Sequence, residues 1–219
     1  IVVTADEATR SAYDIIITAG DVVNFGGLVA GPNIVKITAN DSITDSHDGN
    51  DLVARYLTLP STTGAVGVDA AEIDINVENV GSVANGGAVT AALGGVFLIE
   101  SKGSTIGTIT STDGDVSFKD NLGAIKLGSI SAAGHTVTVT SDQSSITNNS
   151  GGLNITADGA VLSGKTGIGT SGTDVQTTVG TLSATTNTTE ASYGGICITE
   201  TNGLTSLTVS TNDDLVDIH

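Results

Sequence analysis

The stretch "GGVFLIESKGSTIGTIT", starting at Gly94, returns about one hundred positions later as "GGICITETNGLTSLTVS", starting at Gly194, in the same order and without a gap. A glycine pair, an apolar run, a glutamate, a further glycine and alternating threonines recur. Recurrence of this kind marks a repeated architectural unit before it marks a site. The duplication reaches further: "GPNIVKITANDSITD" from Gly31 resembles "GHTVTVTSDQSSITN" from Gly134, with one residue inserted, and Thr63-Gly64 has a counterpart in Thr166-Gly167. Residues 1–112 and 113–219 are therefore read as two similar modules of roughly 100 residues each.

A shorter rhythm runs inside the modules. Strong apolar runs begin at Ile15, Ile34, Leu52, Ile73, Val96, Val116, Val137, Leu153, Val175, Ile196 and Leu215. Their starts fall about 20 residues apart, a spacing typical of solenoid repeats. With weaker runs between them and Gly, Asn, Asp or Ser at the breaks, each period reads as one coil of a parallel β-helix. The expectation is an all-β parallel β-solenoid of roughly eleven coils with about 20 residues per coil, continuous over residues 1–219. In "HTVTVTSD" and its relatives, period-two alternation points Val137, Val139, Leu153, Ile155, Ile196 and Ile198 into the lumen and the threonines outward.

Composition suits a narrow lumen. Aromatics make up 3% of the chain, Trp and Met are absent, and Val, Ile, Leu and Ala must fill the core. The 29 glycines and the many Thr, Ser, Asn and Asp favour strands and turns over helix. The competing architecture is a tandem of two immunoglobulin-like β-sandwiches, since about one hundred residues of short strands is also the size of such a domain. Against it stand the missing Trp, the missing Cys pair, and a rhythm that continues through "TITSTDGDVSF" where a linker would fall.

Charge restricts the partners. Seven Lys+Arg against 24 Asp+Glu leave a net charge of −17, and Lys36, Arg55, Lys102, Lys119, Lys126 and Lys165 are scattered singly, so nucleic acid is excluded as a partner. No apolar run approaches the roughly 18 to 20 residues of a membrane helix, and no membrane insertion is expected. The single cysteine, Cys197, faces Phe97 in the alignment of the two copies and reads as packing.

The richest polar cluster is "DSITDSHDGND", with Asp41, Asp45, His47, Asp48 and Asp51 in one turn. Asp45, Asp48 and Asp51 are candidate Ca²⁺ ligands as hard oxygen donors; the bland alternative is a set of solvated loop carboxylates, because the spacing is not that of an EF-hand loop. Asp213 and Asp214 read the same way. His47, His135 and His219 lie far apart, no Gly-x-Ser-x-Gly elbow is present, and "GKTG" at Gly164 is a turn rather than a phosphate loop. No catalytic residue is assigned and the chain is expected not to be an enzyme. Asn-x-Ser/Thr patterns occur at Asn40, Asn148, Asn154 and Asn187, the third within an expected strand.

The string "TGIGTS" followed by "TTVGTLSATT" and "GGICITETNGL", within residues 164–210, resembles the repeat units of very large secreted bacterial proteins of the filamentous-haemagglutinin type; residues 52–110 follow it more loosely. The resemblance implies an extracellular or cell-surface protein of adhesion, matrix or coat formation, with no catalytic residues to transfer. Neither end of the sequence carries a capping segment, which fits a segment of a longer array or a subunit whose ends meet others. The expected function is a non-catalytic structural or adhesive β-solenoid of a bacterial cell surface, coat or biofilm matrix. It would act by self-association or against neighbouring repeats of the same long chain, with surface glycans as further partners and Ca²⁺ as the one cofactor considered. The alternative is a carbohydrate-active β-helix, either a polysaccharide-binding module or a lyase or hydrolase.

Overall fold

The computed structural model describes the chain except for residues 1, 4–8, 11–13, 27–28, 31–32, 47–48, 83–86, 189–194 and 213–214. The described residues form strands and turns without a helix, and the strand ladders between coils are parallel. The architecture is a parallel β-solenoid, as the alternation and rhythm predict, rather than a pair of sandwiches.

One coil shows how the sequence builds it. Val96–Glu100 lies on a first face, Ser104–Ile106 on a second and Thr108–Ser111 on a third, before Val116–Asp120 opens the next coil on the first face. Val96 pairs with Val116, Leu98 with Phe118 and Ile109 with Ile130, so like positions stack from coil to coil. Each strand alternates buried and half-exposed residues, which turns every second side chain into the lumen. Leu98, Phe118, Val139, Leu162 and Ala184 make one inward column, and Ile125, Ile146, Ile168 and Ile196 make another. The buried apolar residues from Ala19 to Ile198 form one contiguous cluster.

The turn count differs from the expectation. The stack has about 8 turns at a spacing of about 22 residues, not eleven at about 20. Val96 meets Val116, 20 positions on, whereas Leu182 meets Leu207, 25 positions on. Successive apolar runs do not all fall on one face: Val137 stacks on the first and Ile155 on the third, so the step between them is less than a turn. Counting runs therefore overcounts coils.

Five of the six predicted lumen residues, Val137, Val139, Ile155, Ile196 and Ile198, are fully buried. Leu153 is not; it is 42% exposed, and Asn154 takes the inward place beside Ile155. The chain turns a corner here, and two consecutive residues face inward where strict alternation allows one. The Asn154 side-chain amide donates to the carbonyls of Leu127 (3.1 Å) and Gly128 (2.9 Å), and its oxygen accepts from the Gln176 N–H at 2.9 Å. A buried amide satisfied by three coils holds the corner in register. Its burial also removes Asn154 from reach as a glycosylation acceptor in the folded chain.

The duplication has a structural counterpart. Val66 bridges to Val96 and Ile73 pairs with Leu98; in the second copy Ile168 pairs with Ile196 and Val175 with Ile198. Between the paired residues each copy inserts a small hairpin, closed by the Val68–Ala71 and Thr170–Thr173 bridges. Gly67 and Gly169 open these hairpins at φ +70° and +67°, and a Cβ at either would run into the carbonyl oxygen of Phe97 or Cys197. The unit is not a whole number of turns. Val66 belongs to the first-face column through Val96, Val116 and Val137, while Ile168 belongs to the second-face column through Ile146 and Ile125.

Candidate functional site

Three groups of acids carry the unusual chemistry, and stacking creates all three. The first contains the expected Ca²⁺ ligands. Asp45 closes the strand Ile43–Asp45, and Asp51 stands just before Leu52–Pro60. The Asp51 N–H donates to the Asp74 carbonyl at 2.8 Å, and the Asp51 carboxylate accepts the Asp74 N–H at 3.0 Å, so the next coil adds a carboxylate the local sequence does not show. Asp45, Glu72 and Asp74 line a cleft of about 310 Å³ together with Ser46 and Ala70. Asp51 is fully buried, and its pKa is pushed up to about 8: burial raises it most, the Asp74 N–H pulls it down, and the Asp45 and Asp74 charges raise it further. Asp48 and His47 lie outside the described residues. Among the described residues, no three His, Cys, Asp or Glu side chains stand in metal-holding geometry.

The second group is a pair that sequence reading missed. Glu100 and Asp120 end first-face strands on consecutive coils, pair in register and are fully buried. The Glu100 carboxylate accepts the N–H groups of Val77 (3.0 Å), Ser101 (2.9 Å) and Lys102 (3.2 Å). Asp120 accepts the Leu122 N–H at 2.9 Å and that of Gly123. Burial pushes the Glu100 pKa up to about 8 against the pull of the Val77 and Ser101 N–H groups, with the Asp120 charge adding to the rise. Burial also raises Asp120, opposed by backbone N–H groups including that of Gly123. Glu200 repeats the arrangement, accepting from Val179 (3.3 Å), Thr201 (2.9 Å) and Asn202 (3.0 Å). In both copies the glutamate of the duplicated motif is thus a corner clamp: it ties its own turn to the coil before.

The third group pairs histidines with aspartates. His135 Nε2 lies 3.1 Å from Asp113 Oδ1, and His219 lies 3.3 Å from both Asp174 and Asp217. His135 and Asp113 are brought together by the stacking of one coil on the next and His219 and Asp174 by stacking over a longer separation, whereas Asp217 is a near neighbour of His219 in the sequence. Cys197 is buried, and burial, then the charges of Asp174 and Asp217, raise its pKa, so the thiol is held protonated and packed as expected. Gly164 ends a strand and Lys165-Thr166 bend into Gly167–Ile168, so "GKTG" is a turn in the structure as well. Asp213 and Asp214 lie outside the described residues.

The outward positions form hydroxyl ladders. Thr90, Thr110, Ser131, Thr156 and Thr178 stack in register up the third face, and the Thr178 and Thr201 hydroxyls are hydrogen-bonded to each other. Compared with known proteins, the chain matches no family model, no curated protein and no solved structure.

Proposed function

We propose that the chain is a non-catalytic structural or adhesive β-solenoid of the filamentous-haemagglutinin-like type, working at a bacterial cell surface, in a coat or in a biofilm matrix. The observation that carries this reading is the duplicated unit set into one stack of in-register coils. A fold of this kind lengthens by adding coils and presents the same faces repeatedly, which suits a spacer or a lattice element. Its third face is a ladder of small hydroxyls, and a net charge of −17 keeps copies apart over about a Debye length, near 10 Å at moderate salt. Association then calls for screening or bridging. Carboxylates around the Asp45, Glu72 and Asp74 cleft supply hard oxygens for a Ca²⁺ bridge between neighbouring copies. The test is light scattering while Ca²⁺ is added and then chelated. The reading expects reversible growth in particle mass; a monodisperse monomer throughout overturns it.

A further inference from the structure

We propose that the groove crossing the corner between the third and first faces, around Gly159, binds a neutral polysaccharide chain through its hydroxyl groups. The groove has a volume of about 510 Å³ and is lined by Thr136, Asp158, Gly159, Gly180, Thr181 and Asn202, among others. These residues sit on successive coils, so the groove runs along the stacking axis for about 14 Å at the strand spacing. A linear polymer lying along the rod fits that direction.

At its centre Thr136, Gly159 and Thr181 stand in register on three coils, and the glycine, having no side chain, lets the Thr181 hydroxyl lie over its backbone. A Cβ placed on Gly159 would come within 2.8 Å of Thr181 Oγ1 and 3.6 Å of Thr136 Oγ1. A ligand hydroxyl lying across the outside of Gly159 faces the Thr181 hydroxyl on one side and the Thr136 hydroxyl on the other, each able to donate and accept. The rim adds an acceptor-only carboxylate, Asp158, and an amide that does both, Asn202. The rim is also held in place. The Gly180 N–H donates to the Asp158 carbonyl at 2.9 Å, the Thr205 hydroxyl to the Gly180 carbonyl at 2.8 Å, and the Asn202 N–H to the Glu200 carboxylate at 3.0 Å. The fixed rim backbone spares a ligand the cost of ordering it.

The lining selects against other ligands. It contains no Lys or Arg, and Asp158 together with a net charge of −17 repels uronates, sulfates and phosphates. It has no large apolar side chain for a lipid or an apolar peptide, and one carboxylate is too few for a cation. Neutral polyols with closely spaced hydroxyls remain. This site stands apart from the association proposed above, and its test contains no second copy and no calcium.

The experiment is a ¹H–¹⁵N NMR titration of the whole chain with neutral glucan, mannan, galactan and xylan hexasaccharides, and with oligogalacturonate. The expected result is saturable shifts at Gly159, Gly180, Asn202 and Thr205 with at least one neutral sugar. The Asp158→Ala/Asn202→Ala double variant should weaken binding at least tenfold, and Gly159→Ala, whose Cβ displaces the Thr181 hydroxyl, should do the same with spectral changes confined to residue 159 and its in-register neighbours Thr136 and Thr181. Absence of shifts at these four amides with every neutral sugar, binding of oligogalacturonate alone, or undiminished binding in both variants overturns the proposal.

Discussion

Glu100 sits in the lumen wall with Asp120 stacked on it, and the pair makes the stability of this chain depend on pH in an unusual direction. The folded state holds a proton on Glu100 up to about pH 8, whereas the unfolded chain releases it near the ordinary value of 4.5. Between those values the folded state binds more protons, so raising pH favours unfolding; the stabilisation is fully present below about pH 4.5 and is lost as pH climbs through 8. Asp120, raised by its burial, acts in the same direction. Thermal melts should give a higher Tm at pH 5 than at pH 8, and Glu100→Gln should remove part of that slope, a difference on the order of a few kcal/mol. A parent Tm that is flat or rising over this range would contradict the burial of the pair. The pair was legible in principle: Glu100 shares the parity of Val96 and Leu98, and Asp120 that of Val116 and Phe118. Charge at a strand end reads as solvated surface, and only the stacked coils show otherwise.

Strand parity was readable wherever a strand ran straight. "VTVT" and "ICIT" gave their inward residues correctly because each of those residues stacks in register on a buried apolar residue of the coil before. "LNIT" did not, because it begins in a corner where Asn154 turns inward ahead of Ile155. The two hairpin insertions escaped for a related reason: they add residues between Val66 and Ile73, and between Ile168 and Val175, without adding a turn. The acidic cleft was half legible. Asp45 and Asp51 are close in sequence, but Asp74 reaches them only through the pairing of one coil with the next. A matched pair of variants tests the corner register. Leu153→Asp should change stability by no more than about 0.5 kcal/mol, as expected of an exposed site, whereas Ile155→Asp buries an unpartnered carboxylate and should cost more than about 4 kcal/mol. Urea unfolding of both measures it, and the reverse order of sensitivity would show the corner to be shifted by one residue.

At the scale of the whole molecule, the two sequence modules meet at residues 112–115 without any break in the ladder of hydrogen bonds. The Thr112 N–H donates to the Ala91 carbonyl at 2.9 Å, and the carbonyls of Asp113 and Asp115 accept from Gly94 (2.8 Å) and Val96 (2.9 Å). Thr108–Ser111 on one side and Val116–Asp120 on the other both pair with Ser129–Ser141. The midpoint of the duplication is therefore a corner of one coil, stapled to the coil before it, and the apolar cluster passes straight through. Continuity of the stack underlies both the proposed association and the groove, since each depends on faces that extend over several coils. Native-state hydrogen exchange at the amides of Gly94, Val96 and Thr112 tests it most directly. A continuous solenoid predicts that all three exchange as slowly as the strand amides of Phe118 and Val139. Exchange of these amides at the rate of a free linker, with protected segments on either side, would mean two separate domains and would contradict the single stack.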